Sequence, residues 1–332
     1  MTRPGQPRGA RFLAEANARS EGIDEKWAAS NEQWWDWYLS LAHEEEGEAR
    51  PRVAIEPLPE LEAPTPSALG DELDAPYPLP EEAIEFFRRE GYVKLRDVCS
   101  PAALLSLRAE FEVLFERTLD RQADMRFPSL EMTWTVAPVS RTFVLSRRLA
   151  RIAAKLLGVD AVRLYHDNAL SKLPGGGRTP WHYDAHHYPI ASENVVTVWA
   201  PLQPTPRAMG PLAFARGRDT WRRVADLPFD KFGDSYDREI QRVLCAGDVA
   251  VEDGPFQLGE VSFHHTRSLH TAGANDTDRA RMALATTYME DGARLVDSPT
   301  LISGDYEKFM PGVEPGAPIA SDLNPVLWRA RT

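Results

Sequence analysis

The sequence predicts a mainly β protein with flanking helices around a double-stranded β-helix core, a cupin-like jelly roll with a site in the mouth of its barrel. Three observations carry that expectation. Short extended runs fill the stretch from Ala161 to Tyr288, no helices alternate with them as a parallel sheet would need, and the clear helical patterns gather ahead of them. With 332 residues the chain can bury a full core, and it reads as one domain with an N-terminal extension.

Taken in order, residues 1–22 are patternless and Arg- and Gly-containing, a flexible tail. Residues 23–50 read as an aromatic-rich helix: Asp24 serves as N-cap, no Pro or Gly falls between Asp24 and Glu46, and Trp27, Trp34, Trp35, Trp37, Tyr38 and Leu41 crowd the segment. Such a face needs a cover, supplied by its own domain, by substrate or by a second copy in a homodimer. Residues 51–80 carry eight prolines and read as an extended Pro-rich linker.

The main domain is placed at residues 81–298. It opens with a helix stopped by Gly91, then a strand at Tyr92–Leu95. Ser100 and Pro101 supply the N-cap and first position of a second helix through Phe115, and a third runs from Arg147 to Leu157 before Gly158. Strands are expected at Val162–Leu170, Val195–Leu202, Val249–Val251, Val261–His264 and Met282–Tyr288. The segment from Arg218 to Phe256 is long for a connector and is expected to shape what enters the site. Residues 299–332 form a Pro- and Gly-containing C-terminal extension whose Val326-Leu327-Trp328 docks on the surface.

Composition narrows the function classes. No apolar run approaches membrane-spanning length and the first residues lack a signal peptide's apolar stretch, so no membrane is expected as partner and the cytoplasm is the expected compartment. A net charge of -12 repels polyphosphate, and no basic helix offsets it, which excludes nucleic acid. Cys99 and Cys245 are too few for a disulfide framework or a thiolate metal site and are read as packed thiols.

The chemistry concentrates in Trp181-His182-Tyr183-Asp184. In an extended segment residues i and i+2 share a face, so His182 and Asp184 aim at one point while Trp181 and Tyr183 pack behind. A third donor is sought in His270. Two imidazoles and one carboxylate on one face of an octahedron leave three positions open, the arrangement by which non-haem Fe(II) oxygenases hold a co-substrate and O2. Arg281, flanked by apolar residues in a strand, needs an anionic partner, either a ligand's carboxylate or an internal acid. Arg216, Arg218, Arg222 and Arg223 gather positive charge in an acidic chain, as a solvated loop or as a receiver of an anionic substrate.

From Leu79 to Tyr288 the chain resembles the phytanoyl-CoA dioxygenase family of Fe(II)- and 2-oxoglutarate-dependent oxygenases. Three blocks carry the resemblance: Ser171-Lys172-Leu173-Pro174-Gly175 through Trp181-His182-Tyr183-Asp184; Val196 to Leu202 with Gly210-Pro211-Leu212; and Gly259 to Arg281. The resemblance implies iron bound by His182, Asp184 and His270, with 2-oxoglutarate and O2 as co-substrates. It places Arg281 on the distal carboxylate of 2-oxoglutarate and Trp199, Asn168 and Lys172 around the co-substrate; His186 and Tyr188, which follow the metal strand, are read as substrate contacts. It further implies hydroxylation, or another oxidation at a C–H bond, of a small organic molecule in a biosynthetic tailoring step, with release of succinate and CO2. Asp184 sets the chain apart from the halogenases of this class, which have a small residue at that place. Glu260 stands where the family has Asp, and Arg216-Gly217-Arg218-Asp219 where many members have Pro-Gly-Ser-His, a departure that bears on substrate. A metal-dependent cupin-like enzyme or binding protein that makes no use of 2-oxoglutarate stays open as the alternative.

Overall fold

The computed structural model describes residues 51–118, 126–228, 234–299 and 306–330. The tail and the aromatic helix expected within residues 1–50 lie outside these, and with them the homodimer contact.

Helices precede the sheets, as the patterning predicts. α1 (Pro66–Asp74) is capped by Thr65, whose Oγ1 accepts from Ala68 N at 3.2 Å; α2 (Glu81–Glu90) ends at Gly91 in the left-handed region with φ 83°. β1 (Tyr92–Leu95) and α3 (Pro101–Thr118) follow, the latter with Ser100 Oγ accepting from Ala103 N at 3.2 Å. Then come β2 (Ser129–Glu131), α4 (Pro138–Val144) and α5 (Arg147–Leu157). The strand-rich half holds β3 (Ala161–Lys172), β4 (Thr179–His182), β5 (Val195–Pro201) and β6 (Leu212–Ala215). It continues with α6 (Ser235–Ala246), β7 (Val251–Glu252), β8 (Val261–His265), β9 (His270–Ala272) and β10 (Arg281–Glu290), and β11 (Val326–Arg329) closes the order.

Two sheets result. The main one runs β1-β8-β5-β10-β3-β11 with β2 also on β3, and the smaller one runs β4-β9-β6-β7; these strands pair antiparallel in both. The core is thus a jelly roll of facing sheets. It bears out the jelly roll expected from the sequence, as an open pair of sheets and not a closed barrel among the described residues. On its outer side the main sheet buries Val162, Leu164, Val196, Val198, Phe263 and Leu284 in one cluster with Leu104, Leu107, Phe111 and Ile152 of the helices.

Three expectations need correction. The Pro-rich linker is not extended throughout, since α1 buries Leu69 and Leu73 in the main core; Pro66 suits the first helical turn and leaves the helix interior free of proline. The Arg218–Phe256 connector contains α6, whose Tyr236, Ile240 and Leu244 pack behind β4 on Trp181 and Tyr183. Cys99 is buried as expected but Cys245, near the end of α6, is exposed.

The far edge of β3 is covered piecewise. β2 pairs with residues 168–170 and β11 with residues 161–163. Between them the buried Asn324 amide donates to the Leu164 and Tyr165 carbonyls at 3.1 and 3.2 Å, and Met132 N donates to the Asp167 carbonyl at 3.1 Å.

Candidate metal centre and anion pocket

β4 ends at His182, but the backbone stays extended through Tyr183 (φ -134°, ψ 138°) before a 3-10 turn opens at Asp184. His182 and Asp184 therefore share a face although only the first lies in a strand. β9 pairs with β4 so that His270 stands opposite His182, ring centroids 4.1 Å apart. The donor atoms of His182, Asp184 and His270 all lie within 4.8 Å of one another, and all three residues are buried. Behind them Asp237 of α6 accepts from Trp181 N at 2.7 Å and from Arg178, fixing the strand that carries the pair.

Both imidazoles are oriented by backbone. His182 Nδ1 donates to the Pro180 carbonyl at 2.8 Å and His270 Nδ1 to the Ser268 carbonyl at 2.9 Å, which places the ring proton on Nδ1 and makes Nε2 the lone-pair donor of each ring. Burial pushes both rings below their ordinary pKa, so they are neutral at physiological pH. Burial opposes ionisation of Asp184, yet the hydrogen bond from His264 and the neighbouring rings of His270 and His182 hold its carboxyl well below the usual range. Two neutral imidazoles and one carboxylate form a donor set suited to a divalent transition metal.

Register across the main sheet arranges its inner face in rows, because residues directly opposite in an antiparallel pair point the same way. One row is His166, Thr287, Thr197 and His264; the next is Asn168, Ala285, Trp199 and Ser262. At the far end Lys172 stands opposite Arg281. Both cations are essentially inaccessible, at 0% and 1% exposure. Lys172 Nζ is satisfied by neutral groups, the Gly273 carbonyl at 2.8 Å and Thr179 Oγ1 at 3.2 Å. Burial first, then the neighbouring Arg281 and Arg178, push Lys172 well below its ordinary pKa. Arg281 donates to the Gly210 carbonyl, and its guanidinium lies 5.5 Å from the Trp199 ring centre and 5.7 Å from that of Phe127.

Between the metal row and these basic residues, Asn168 Oδ1, Trp199 Nε1 and Ser262 Oγ are buried without a hydrogen-bond partner among the described residues. Each such group costs on the order of 1–3 kcal/mol unless something supplies a partner. Three orphaned polar atoms in one row suit a polar ligand lying over it. The structure thus brings His182, Asp184 and His270 together, and lines one inner face with Asn168, Trp199, Lys172 and Arg281.

His186 and Tyr188 sit just past the metal face. His186 stacks on His187 with centroids 5.2 Å apart and places Nδ1 3.3 Å from the Tyr236 hydroxyl, while Tyr188 OH lies 3.3 Å from Thr287 Oγ1. Of the loop arginines, Arg218 donates to His265 at 3.0 Å and Arg222 pairs with Asp219 at 3.2 Å. Thr197, beside Asp184, escaped sequence reasoning, and His264, also beside it, stood out in the sequence only as one of the histidines near His270 that could support the site. The alternation Val261-Ser262-Phe263-His264 was the available signal, since it sets Ser262 and His264 on one face.

The chain belongs to the phytanoyl-CoA dioxygenase family, whose model matches residues 87–283. It is 26% identical over 173 residues to a probable alpha-ketoglutarate-dependent hypophosphite dioxygenase of Stutzerimonas stutzeri, covering 51% of this chain and 59% of that protein. The match thus spans less than two thirds of that relative's length. Among solved structures, the non-heme alpha-ketoglutarate-dependent carbocyclase SnoK from nogalamycin biosynthesis superposes with a TM-score of 0.63 at 25% identity, covering 76% of this chain and 99% of that one. The epimerase SnoN, solved with Fe3+, alpha-ketoglutarate and nogalamycin RO, gives 0.58 at 23% identity over 79% of this chain and 100% of its own, a likeness of fold. No helix among the described residues is long and apolar enough to cross a membrane.

Proposed function

We propose that the protein is an Fe(II)- and 2-oxoglutarate-dependent dioxygenase that oxidises a C–H bond of a small organic molecule, as a tailoring step in biosynthesis, releasing succinate and CO2. The observation that carries this reading is the pairing of a buried His182-Asp184-His270 donor set with two buried basic residues, Lys172 and Arg281, on the facing sheet. 2-Oxoglutarate, a dianion with a keto-acid at one end and a carboxylate at the other, suits a pocket that runs from the metal donors to those two residues. The names of the similar carbocyclase and epimerase support a tailoring role, and family membership supports the co-substrate.

The residues take the following parts. His182 Nε2, His270 Nε2 and Asp184 Oδ1 would hold the metal, with backbone carbonyls fixing both rings. Arg281 receives the distal carboxylate, and Lys172 raises the positive potential of the same end. Trp199 walls the pocket and offers Nε1 as a donor; Asn168 lies across from it. His186 and Tyr188 face the substrate side, where the site must exclude water while admitting one C–H bond. When bound, iron with 2-oxoglutarate and O2 supplies the oxidising power, which no side chain of this chain provides.

Anaerobic titration of the apo-protein with Fe(II) and then 2-oxoglutarate tests the reading. A weak visible charge-transfer band is expected on the second addition, from keto-acid chelation to Fe(II). Iron binding without that band would move the protein to a metal-dependent cupin-like enzyme or binding protein that makes no use of 2-oxoglutarate.

A further inference from the structure

The two oxygens of Asp184 face different groups. Oδ1 lies 4.0 Å from His182 Nε2 and 3.7 Å from His270 Nε2, so it points into the donor set. Oδ2 lies 2.9 Å from Thr197 Oγ1 and 3.5 Å from His264 Nε2, on the inner face of the main sheet. Both neighbours are buried, at 4% and 2% exposure, and stand opposite each other in the β5–β8 register. An ionised carboxylate only accepts, so Thr197 spends its one proton on Asp184 and His264 turns an N–H towards it. Thr197 Oγ1 must then accept from Thr287 Oγ1 at 3.0 Å, and Thr287 in turn from the Tyr188 hydroxyl at 3.3 Å. The acceptor at one end fixes the direction of the whole chain of hydroxyls, and such chains polarise along their length.

We infer that Thr197 and His264 are positioning residues that claim the second oxygen of Asp184, so that the carboxylate offers a metal one oxygen only. The inference rests on the metal-centre reading above and deepens it. A carboxylate free to turn could chelate through both oxygens and fill a position that a co-substrate needs; held from behind by two donors on neighbouring strands, it cannot. His264 is thus kept off the metal as well, because its Nε2 faces the oxygen turned away from the other two rings. Its own ring is fixed by packing, 5.6 Å from Phe214 and 4.4 Å from His270 between centroids.

The test uses Co(II) alone as the probe, added anaerobically to the apo-protein, with affinity read by chelator competition and the number of bound imidazoles read by X-ray absorption. Two imidazoles are expected in the wild type. Thr197→Val and His264→Leu should each weaken Co(II) by about tenfold, the usual scale for losing a group that orients a ligand. His264→Gln, whose amide N–H reaches a similar point, should recover most of that loss, and Tyr188→Phe, three hydroxyls away, should change affinity less than Thr197→Val. Thermal melts of each variant separate a lost contact from a lost fold. Three bound imidazoles in the wild type, or undiminished affinity in both folded Thr197→Val and His264→Leu, would overturn the inference. Failure of the underlying reading looks different: His182→Ala would then bind Co(II) as well as the wild type.

Discussion

The two faces of the main sheet are made by the same strands and follow opposite rules. On the outer face Leu164, Val198, Phe263 and Leu284 meet the helices in one continuous apolar cluster. On the inner face, one residue further along in each strand, stand Lys172, Asn168, Thr197, Trp199, Ser262, His264, Thr287 and Arg281, and among the described residues the polar atoms of Asn168, Trp199 and Ser262 find no partner. Because side chains alternate with period two, burial that stabilises and polarity that binds are interleaved along a single stretch of sequence. The lesson is one of separation: a substitution on the outer face should change stability and spare binding, and a substitution on the inner face should do the reverse.

The strongest way to break that contrast is at the metal donors. His182→Ala or Asp184→Ala should abolish Fe(II)-dependent conversion of 2-oxoglutarate to succinate while the fold persists, as circular dichroism would show; full activity in either variant would remove these residues from the centre. Next comes the outer face. Phe263→Ala empties a fully buried position and should cost about 3–5 kcal/mol of stability, visible as a lower denaturation midpoint, with Co(II) affinity of the folded fraction unchanged.

Arg281→Ala should leave metal binding intact and raise the 2-oxoglutarate concentration needed for half-saturation by about 30-fold or more, the scale of removing one partner from a buried charge pair. If Arg281 only pairs internally, that requirement will not move. The smallest effect tests the outer face's polar exception. Asp167 is buried on β3 facing the helices, accepting from Thr133 N at 2.9 Å, and burial raises its carboxyl from 3.8 to about 7. An acid whose folded pKa lies above its unfolded value contributes most to stability when protonated in both states. Its contribution should therefore be full below pH 3.8 and decline as pH rises towards about 7. Asp167→Asn should flatten that slope in melting temperature against pH.

The site was legible where one local rule sufficed. His182 and Asp184 could be paired from the i, i+2 spacing alone, and Arg281 from the rarity of a lone cation amid apolar strand residues. Lys172 was harder, because a lysine next to Leu173-Pro174-Gly175 looks like the solvated start of a loop; only the pairing of β3 with β10 places it opposite Arg281 in the interior. Thr197 and His264 needed the strand order, since β5 and β8 are neighbours in space while 60 residues or more separate the partners in the chain. Helices followed the same division. α2, α3 and α5 carry caps and stops readable in sequence, whereas α1 hides among prolines and α6 among charged residues, each recognised by what it packs against.

The patchwork along β3 has a consequence for the molecule's behaviour in company. A long strand at a sheet margin exposes a ladder of backbone donors and acceptors onto which another chain can add. Here β2, the Asn324 amide and β11 occupy that ladder in turn, so the last segment of the described chain takes up donors and acceptors that a second molecule would need in order to add to this margin.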